Sequence, residues 1–255
     1  MFRLFNKKKS EISRRIRGQA LKQPAVFLHI QKTAGTTIVS LVKSCLGKEL
    51  VTSHGDYLET DSFDPTTKPF ISGHFGFDYA KELIESRYSF TFLRDPAERV
   101  LSFYYFCRQK DPDQFPIYKL AHELSLDAFL AEGLSNSLIA AYILNSQVWQ
   151  LAHGYGSQSE FAIDDFNSDA LLDLAIKNSG MFSHVGFTET FEKDRDIILA
   201  ELGLPLPSKK VVYNAGLSRP LKNKIPESTQ RLLNRLTRLD SALYEHVRSL
   251  KVNSL

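Results

Sequence analysis

The chain has 255 residues, 43% of them hydrophobic, enough to bury one good-sized core, and α/β folds of this length are often a single domain. Its 32 basic and 29 acidic residues leave a net charge of +3, which excludes a broad nucleic-acid-binding face and makes any anion site local. Cys45 and Cys107 match no metal-ligand spacing, so neither a metal site nor a disulfide framework is expected, and with no long apolar run or secretory-type apolar core the expected location is cytoplasmic.

Within the first eighteen residues Arg3, Lys7, Lys8, Lys9, Arg14, Arg15 and Arg17 stand against Glu11 alone. Residues 1–23 read as a basic tail, either simply solvated or in peripheral electrostatic contact with anionic lipid, ahead of a single domain over 24–255. The run Ala25-Val26-Phe27-Leu28-His29-Ile30 has the mostly apolar character of a strand buried on both faces. A polar turn follows, and a helix is predicted over 36–46, with Ile38, Leu41, Val42 and Cys45 on one side and Gly47 just past its end.

A second extended run, 69–72, leads into Gly73-His74-Phe75-Gly76 and a helix over 79–85. The third strand, 89–93, ends at Arg94. Asp95 is then expected as a helix N-cap, with Pro96 at the first helical position and Glu98 closing a capping box, on a helix reaching about 108. Residues 109–160 read as a mostly helical insertion with helices over 126–131 and 137–152. After it come a helix over 168–177, a strand over 181–185, a helix over 190–202 stopped by Gly203, a loop, and terminal helices within 227–250. The alternation predicts an α/β fold: a P-loop-like central parallel sheet with helices on both faces, plus the helical insertion and C-terminal helices. Its ligand crevice is expected beyond the carboxyl ends of the strands.

The first strand-to-helix loop reads Gln31-Lys32-Thr33-Ala34-Gly35-Thr36-Thr37. A glycine allows close backbone approach, a helix N-terminus offers free N–H groups and a positive dipole end, and lysine and threonine add donors, so this loop suits a phosphate. It is not a Walker A loop, because its lysine precedes the glycine. Arg94 and Ser102, about two helical turns apart, place a guanidinium and a hydroxyl beside the same crevice, suited to a second phosphate. Taken singly, the first segment also reads as an ordinary capped turn, and the second as a rim arginine with a packing serine.

Together, these segments resemble the sulfotransferases that use 3′-phosphoadenosine 5′-phosphosulfate (PAPS). Lys32 to Thr37 looks like that family's 5′-phosphosulfate loop, and Arg94-Asp95-Pro96-Ala97-Glu98-Arg99-Val100-Leu101-Ser102-Phe103-Tyr104-Tyr105-Phe106 like its 3′-phosphate motif. The branch it most resembles is that of the glycosaminoglycan 2-O-sulfotransferases and their bacterial relatives. Softer similarity covers Val185 to Glu192 and the stretch from Asn214 to Arg219-Pro220. The resemblance implies Lys32, Thr33, Ala34, Gly35, Thr36 and Thr37 around the 5′-phosphosulfate, Arg94 and Ser102 on the 3′-phosphate, and the loop around Asn214 and Arg219 closing over the nucleotide. It also implies His74 as the base for the acceptor hydroxyl, a task that suits an imidazole near neutral pH, and it requires no metal. The implied reaction is in-line transfer of a sulfuryl group to a carbohydrate or glycoconjugate hydroxyl, with catalytic Lys32 offsetting charge on the leaving phosphate.

Trp149, in Asn145-Ser146-Gln147-Val148-Trp149-Gln150, stands where the branch leads one to expect an arginine; it offers a stacking face for a neutral sugar or belongs to the core. Arg108, Lys110 and Lys119 either border an anionic acceptor or lie in solvent. His29 reads as structural. Two competing functions are a P-loop small-molecule kinase and a non-catalytic nucleotide- or sulfated-glycan-binding protein of the same fold.

Overall fold

The computed structural model describes residues 20–54, 65–154, 162–207 and 225–252. Strands β1 (Ala25–Leu28), β2 (Phe70–Gly73), β3 (Tyr88–Leu93) and β4 (His184–Phe187) form one sheet in the order β2-β1-β3-β4, every neighbouring pair parallel. The helices are α1 (Gly35–Leu46), α2 (Phe77–Ile84), α3 (Pro96–Cys107), α4 (Pro116–Glu123), α5 (Leu126–Glu132), α6 (Ser137–Ile143), α7 (Ser146–Ala152), α8 (Asp169–Ser179), α9 (Phe191–Glu201), α10 (Glu227–Leu236) and α11 (Arg238–Val252).

Successive side chains of β1 point to opposite faces, and each face is apolar because each is covered. Ala25 and Phe27 join Phe70, Phe90 and Phe92 against Ile38 and Val42 of α1 and Ile198 and Leu199 of α9. Val26 packs with Ile71 and Leu83 of α2, and Leu28 meets the larger cluster built from α2, the helical insertion and α11. The chain leaves β1 toward β2 on one side and returns through β3 on the other, so the topological switch lies between the carboxyl ends of β1 and β3.

Four local expectations change. The fourth strand is 184–187 rather than 181–185, because next to its start the serine hydroxyls replace the ladder: Ser89 N–H donates to Ser183 Oγ at 3.1 Å and Ser183 N–H to Ser89 Oγ at 3.0 Å. Backbone pairing then begins at Phe90 and His184. The single helix expected over 137–152 is two, broken at Asn145, whose φ of 44° is left-handed. The break is held by tertiary bonds: Asn145 Nδ2 donates to Phe166 O at 2.9 Å, and its Oδ1 accepts from Leu239 N–H at 2.9 Å. A further helix, α4, occupies part of the segment expected as loop, with Pro116 at its start. Finally, the capping box before α3 is redistributed. Asp95 accepts from Glu98 N–H at 3.0 Å as expected, but the Asp95 N–H donates to Glu189 Oε1 at 3.0 Å, and Glu98 turns to Arg94.

The C-terminal helix is fastened to the sheet through Asp194 on α9. Its carboxylate accepts from His184 Nε2 (2.9 Å), Lys251 Nζ (2.7 Å), Thr190 Oγ1 (2.6 Å) and Phe187 N–H (2.9 Å). Burial by itself would raise the pKa of this group, but the four donors hold it well below the usual carboxylate range. A depressed carboxylate stabilises the fold above its unfolded pKa, about 3.9, and that contribution fades as pH falls further. Asp194→Asn is therefore expected to cost about 2 kcal/mol in chemical denaturation at pH 7, with the gap to the parent protein narrowing below about pH 4. An equal gap at pH 7 and pH 3 would contradict this account.

Candidate active site at the strand ends

All four strands deliver their carboxyl ends to one edge of the sheet. The loop after β1 has two non-glycine residues in the left-handed region, Lys32 (φ 68°) and Ala34 (φ 67°), flanking Thr33. Such conformations cost about 1 kcal/mol or more each and persist where surrounding bonds impose them. Here Thr33 Oγ1 donates to Ile30 O at 2.7 Å, and Arg94 Nη1 donates to Lys32 O at 3.0 Å. Alternating the backbone in this way turns N–H groups toward one concave side, an anion-binding nest. Ala34 makes no side-chain cap for α1, so the helix presents its first N–H groups and positive dipole end to the same hollow.

The two ends of the predicted 3′-phosphate motif lie along one side of α3. Glu98, Ser102 and Phe106 follow one another at four-residue spacing, so they share a face. Arg94 Nη2 meets Glu98 Oε2 at 3.6 Å at one end, and Lys32 Nζ sits 3.9 Å from the Phe106 ring centroid at the other. Half-buried Ser102 lies between them. The ring face attracts the ammonium without cancelling its charge. Lys110 Nζ lies 4.9 Å from the same ring, whereas Arg108 is engaged with Tyr104 Oη and Ala121 O, and Lys119 pairs with Glu123.

Three imidazoles meet at the ends of β1 and β2. The His74 ring lies 4.4 Å from that of His29 and 4.4 Å from that of His54. His54 reaches this position because the segment before it runs along β2: Thr52 N–H donates to Phe70 O at 3.0 Å, and Thr52 Oγ1 accepts from Ser72 N–H at 2.8 Å. His74 Nδ1 is 2.6 Å from His29 O. A carbonyl only accepts, so Nδ1 carries the proton and Nε2 of the neutral ring carries the lone pair. Burial, the neighbouring His54 and Lys32 together bring His74 down to about 4 against the raising effect of the His29 carbonyl. His29 is held well below the ordinary histidine value by burial and then by His74, and His54 is lowered by burial. At neutral pH the imidazole of His74 is uncharged.

The structure thus brings Lys32, Ala34, Gly35, Arg94, Ser102 and His74 to one edge, with differences in detail. Thr33 is fully buried and donates its hydroxyl proton to Ile30, so it braces the loop. Thr37 is also buried, its N–H bonded to Ala34 O at 3.0 Å, while Thr36 is exposed at the start of α1. Gly35 must be small in any case, because a Cβ there would overlap the His29 ring. Trp149 belongs to the core, 1% exposed and stacked on Phe166 at 4.1 Å, so it offers no face to a sugar. Asn214 and Arg219 lie outside the described residues, as does the basic segment 1–19. His54, Glu189, Gln147 and Gln150, to which the sequence assigns no role, also reach this edge through contacts with segments distant in the chain. Among the described residues, no group of three or more His, Cys, Asp or Glu side chains is arranged to hold a metal ion, and no helix is long and apolar enough to cross a membrane.

A family model described as the sulfotransferase family matches residues 20–247. The chain belongs to the sulfotransferase family. Among solved structures, this sulfotransferase is similar to one described as a sulfotransferase from Alicyclobacillus acidocaldarius, at 14% identity and a TM-score of 0.45, covering 88% of this chain and 95% of the other. Among curated proteins none matches.

The packing of Gly35 on His29 is open to a double-mutant cycle. Gly35→Ala is expected to lower stability by about 2 kcal/mol through overpacking. Combining it with His29→Ala should recover much of that loss. Strict additivity of the two changes in thermal unfolding would show that the two side chains do not compete for the same space.

Proposed function

We propose that this sulfotransferase moves a sulfuryl group from PAPS to a hydroxyl of a carbohydrate or glycoconjugate. The observation that carries the reading is the nest formed by Lys32 and Ala34 before an uncapped helix, with the Arg94 guanidinium bonded to its rim and an uncharged imidazole at the neighbouring strand end. The residues present suit a nucleotide bearing phosphate at both ends. The β1–α1 loop, with its backbone N–H groups and Lys32, would hold the 5′-phosphosulfate; Arg94, just ahead of α3, and Ser102 on its face would hold the 3′-phosphate.

Bound there, PAPS supplies the sulfuryl group, its S–O bond to the 5′-phosphate breaking as the acceptor oxygen attaches. His74 receives the proton of the acceptor hydroxyl on Nε2, while Nδ1 stays bonded to the His29 carbonyl and keeps the ring in that tautomer. Lys32 offsets the negative charge left on the phosphate side. The bonds on the Arg94 N–H and guanidinium hold that cation, and the backbone from which Lys32 projects, in place before the substrates arrive, so less reorganisation is needed in the reaction itself.

Titrating the protein with 3′-phosphoadenosine 5′-phosphate (PAP) should raise its unfolding temperature. Lys32→Ala and Arg94→Ala should each weaken PAP binding at least about tenfold, since each removes a charge-assisted contact. Stabilisation by ATP with magnesium, and none by PAP, would favour a small-molecule kinase. Mass spectrometry of a saccharide panel incubated with protein and PAPS is expected to show the added sulfuryl mass. His74→Ala should keep PAP affinity and lose about 100-fold or more in transfer. Undiminished transfer by that variant would remove His74 from the base role, and a parent protein inert toward every acceptor would support a binding function alone. Because a lowered histidine pKa leaves the base neutral down to that value, the acid limb of kcat/KM should fall near pH 4, below the limb of an ordinary histidine at about 6.5.

A further inference from the structure

Helix α7 is short and buried at all seven positions, yet two of its residues are glutamines. Gln147 is 0% exposed and Gln150 4%. A primary amide in such surroundings is costly unless both its donor and acceptor atoms are satisfied. Each glutamine finds its partners in the backbone of a loop that carries a candidate site residue.

Gln147 Oε1 accepts from the Arg94 N–H at 3.0 Å, and its Nε2 donates to the Arg94 carbonyl at 3.0 Å. That is the pair of bonds a neighbouring strand would make. Arg94 lies one residue past Leu93, the last paired residue of β3, where the ladder with β4 ends at Phe187. Gln150 Nε2 donates to Phe75 O at 2.8 Å and His74 O at 3.1 Å, with His29 O at 3.4 Å. His29 and His74 likewise follow Leu28 and Gly73, the last pair between β1 and β2. The His29 carbonyl is also the acceptor for His74 Nδ1.

Spaced three residues apart, the two amides project from one side of α7. The helix itself is pinned. Asp240 accepts from Gln147 N–H at 3.3 Å and Val148 N–H at 2.8 Å, and the stacked pair Trp149 and Phe166 secures its middle. Burial pushes Asp240 up to about 6, although Arg99 and these N–H groups pull it down.

We propose that Gln147 and Gln150 are positioning residues of the reaction: a two-amide clamp by which one buried helix continues the hydrogen bonding of the sheet past the ends of β1, β2 and β3. Gln147 sets the backbone from which the Arg94 side chain reaches the phosphate loop. Gln150 sets the peptide groups of His29 and His74, and through the His29 carbonyl it steadies the tautomer in which His74 Nε2 is basic. The assignment rests on the sulfuryl-transfer reading given above, and it divides the labour, Gln147 acting on nucleotide affinity and Gln150 on turnover.

Gln147→Met and Gln150→Met retain side-chain length and remove the amide. PAP affinity is read by calorimetry, and turnover by hydrolysis of PAPS, with water in place of the acceptor hydroxyl. Gln150→Met is expected to lower kcat about 10- to 100-fold while shifting the PAP Kd by less than about twofold. Gln147→Met is expected to raise the PAP Kd about tenfold with a smaller loss of kcat at saturating PAPS. Proportional loss of affinity and turnover in both variants, as from a general loosening of the fold, would overturn the proposal, as would no change in either. Should a variant fail to fold, the parent protein decides by NMR: the side-chain amide protons of Gln147 and Gln150 should exchange far more slowly than those of exposed Gln109. Equal exchange rates would overturn the clamp. A parent protein that binds no PAP would sink the sulfuryl-transfer reading alone, and the amide exchange would still judge the clamp.

Discussion

A β-ladder satisfies backbone groups only while strands run side by side. At the carboxyl edge of this sheet the strands separate, and the peptide groups of His29, His74, Phe75, Arg94 and Asp95 need partners of another kind. They obtain them from side chains distant in sequence: Gln150 for the ends of β1 and β2, Gln147 for the end of β3, and Glu189 from beyond β4 for the N–H of Asp95. The edge where the candidate chemistry sits is therefore cross-linked by side chains from several elements.

The same constraint organises charge. The Arg94 guanidinium is bonded to the backbone carbonyl of Lys32, which ties the loop after β1 to the end of β3, while the Lys32 ammonium lies farther off, against Phe106. Glu98 pairs with Arg94 from α3, and the Phe106 face accommodates the Lys32 ammonium. His74 and His29 are driven toward the neutral form mainly by burial, then by neighbouring imidazoles and by Lys32. On the proposed reading, an anion entering the nest meets Lys32 and Arg94 beside an imidazole that adds no positive charge of its own.

Much of this was legible in the residues. The apolar run at 25–28 and the run after Pro69 announced buried strands, and Asp95-Pro96 announced the start of α3, because burial on both faces and cap geometry are local demands with local signatures. Asn145 was illegible: Ser137 to Ala152 has helical composition throughout, and the break exists because Phe166 and Leu239 reward a left-handed turn. The need for a small residue at Gly35 has a second source that the loop sequence does not show, the His29 ring of the preceding loop.

From its own residues the chain determined an alternating α/β order, a strand ending in a lysine- and glycine-bearing loop, and a second strand ending in arginine before a capped helix. Those features follow from periodicity, capping and backbone freedom, each acting over a few residues. Only the tertiary structure decided which nitrogen of His74 is basic, that Trp149 is core, and that Gln147 and Gln150 grip three loops. Hydrogen bonds between a glutamine and a carbonyl 75 or 121 residues away leave no pattern in either segment; they come into being when the helix is packed against the sheet.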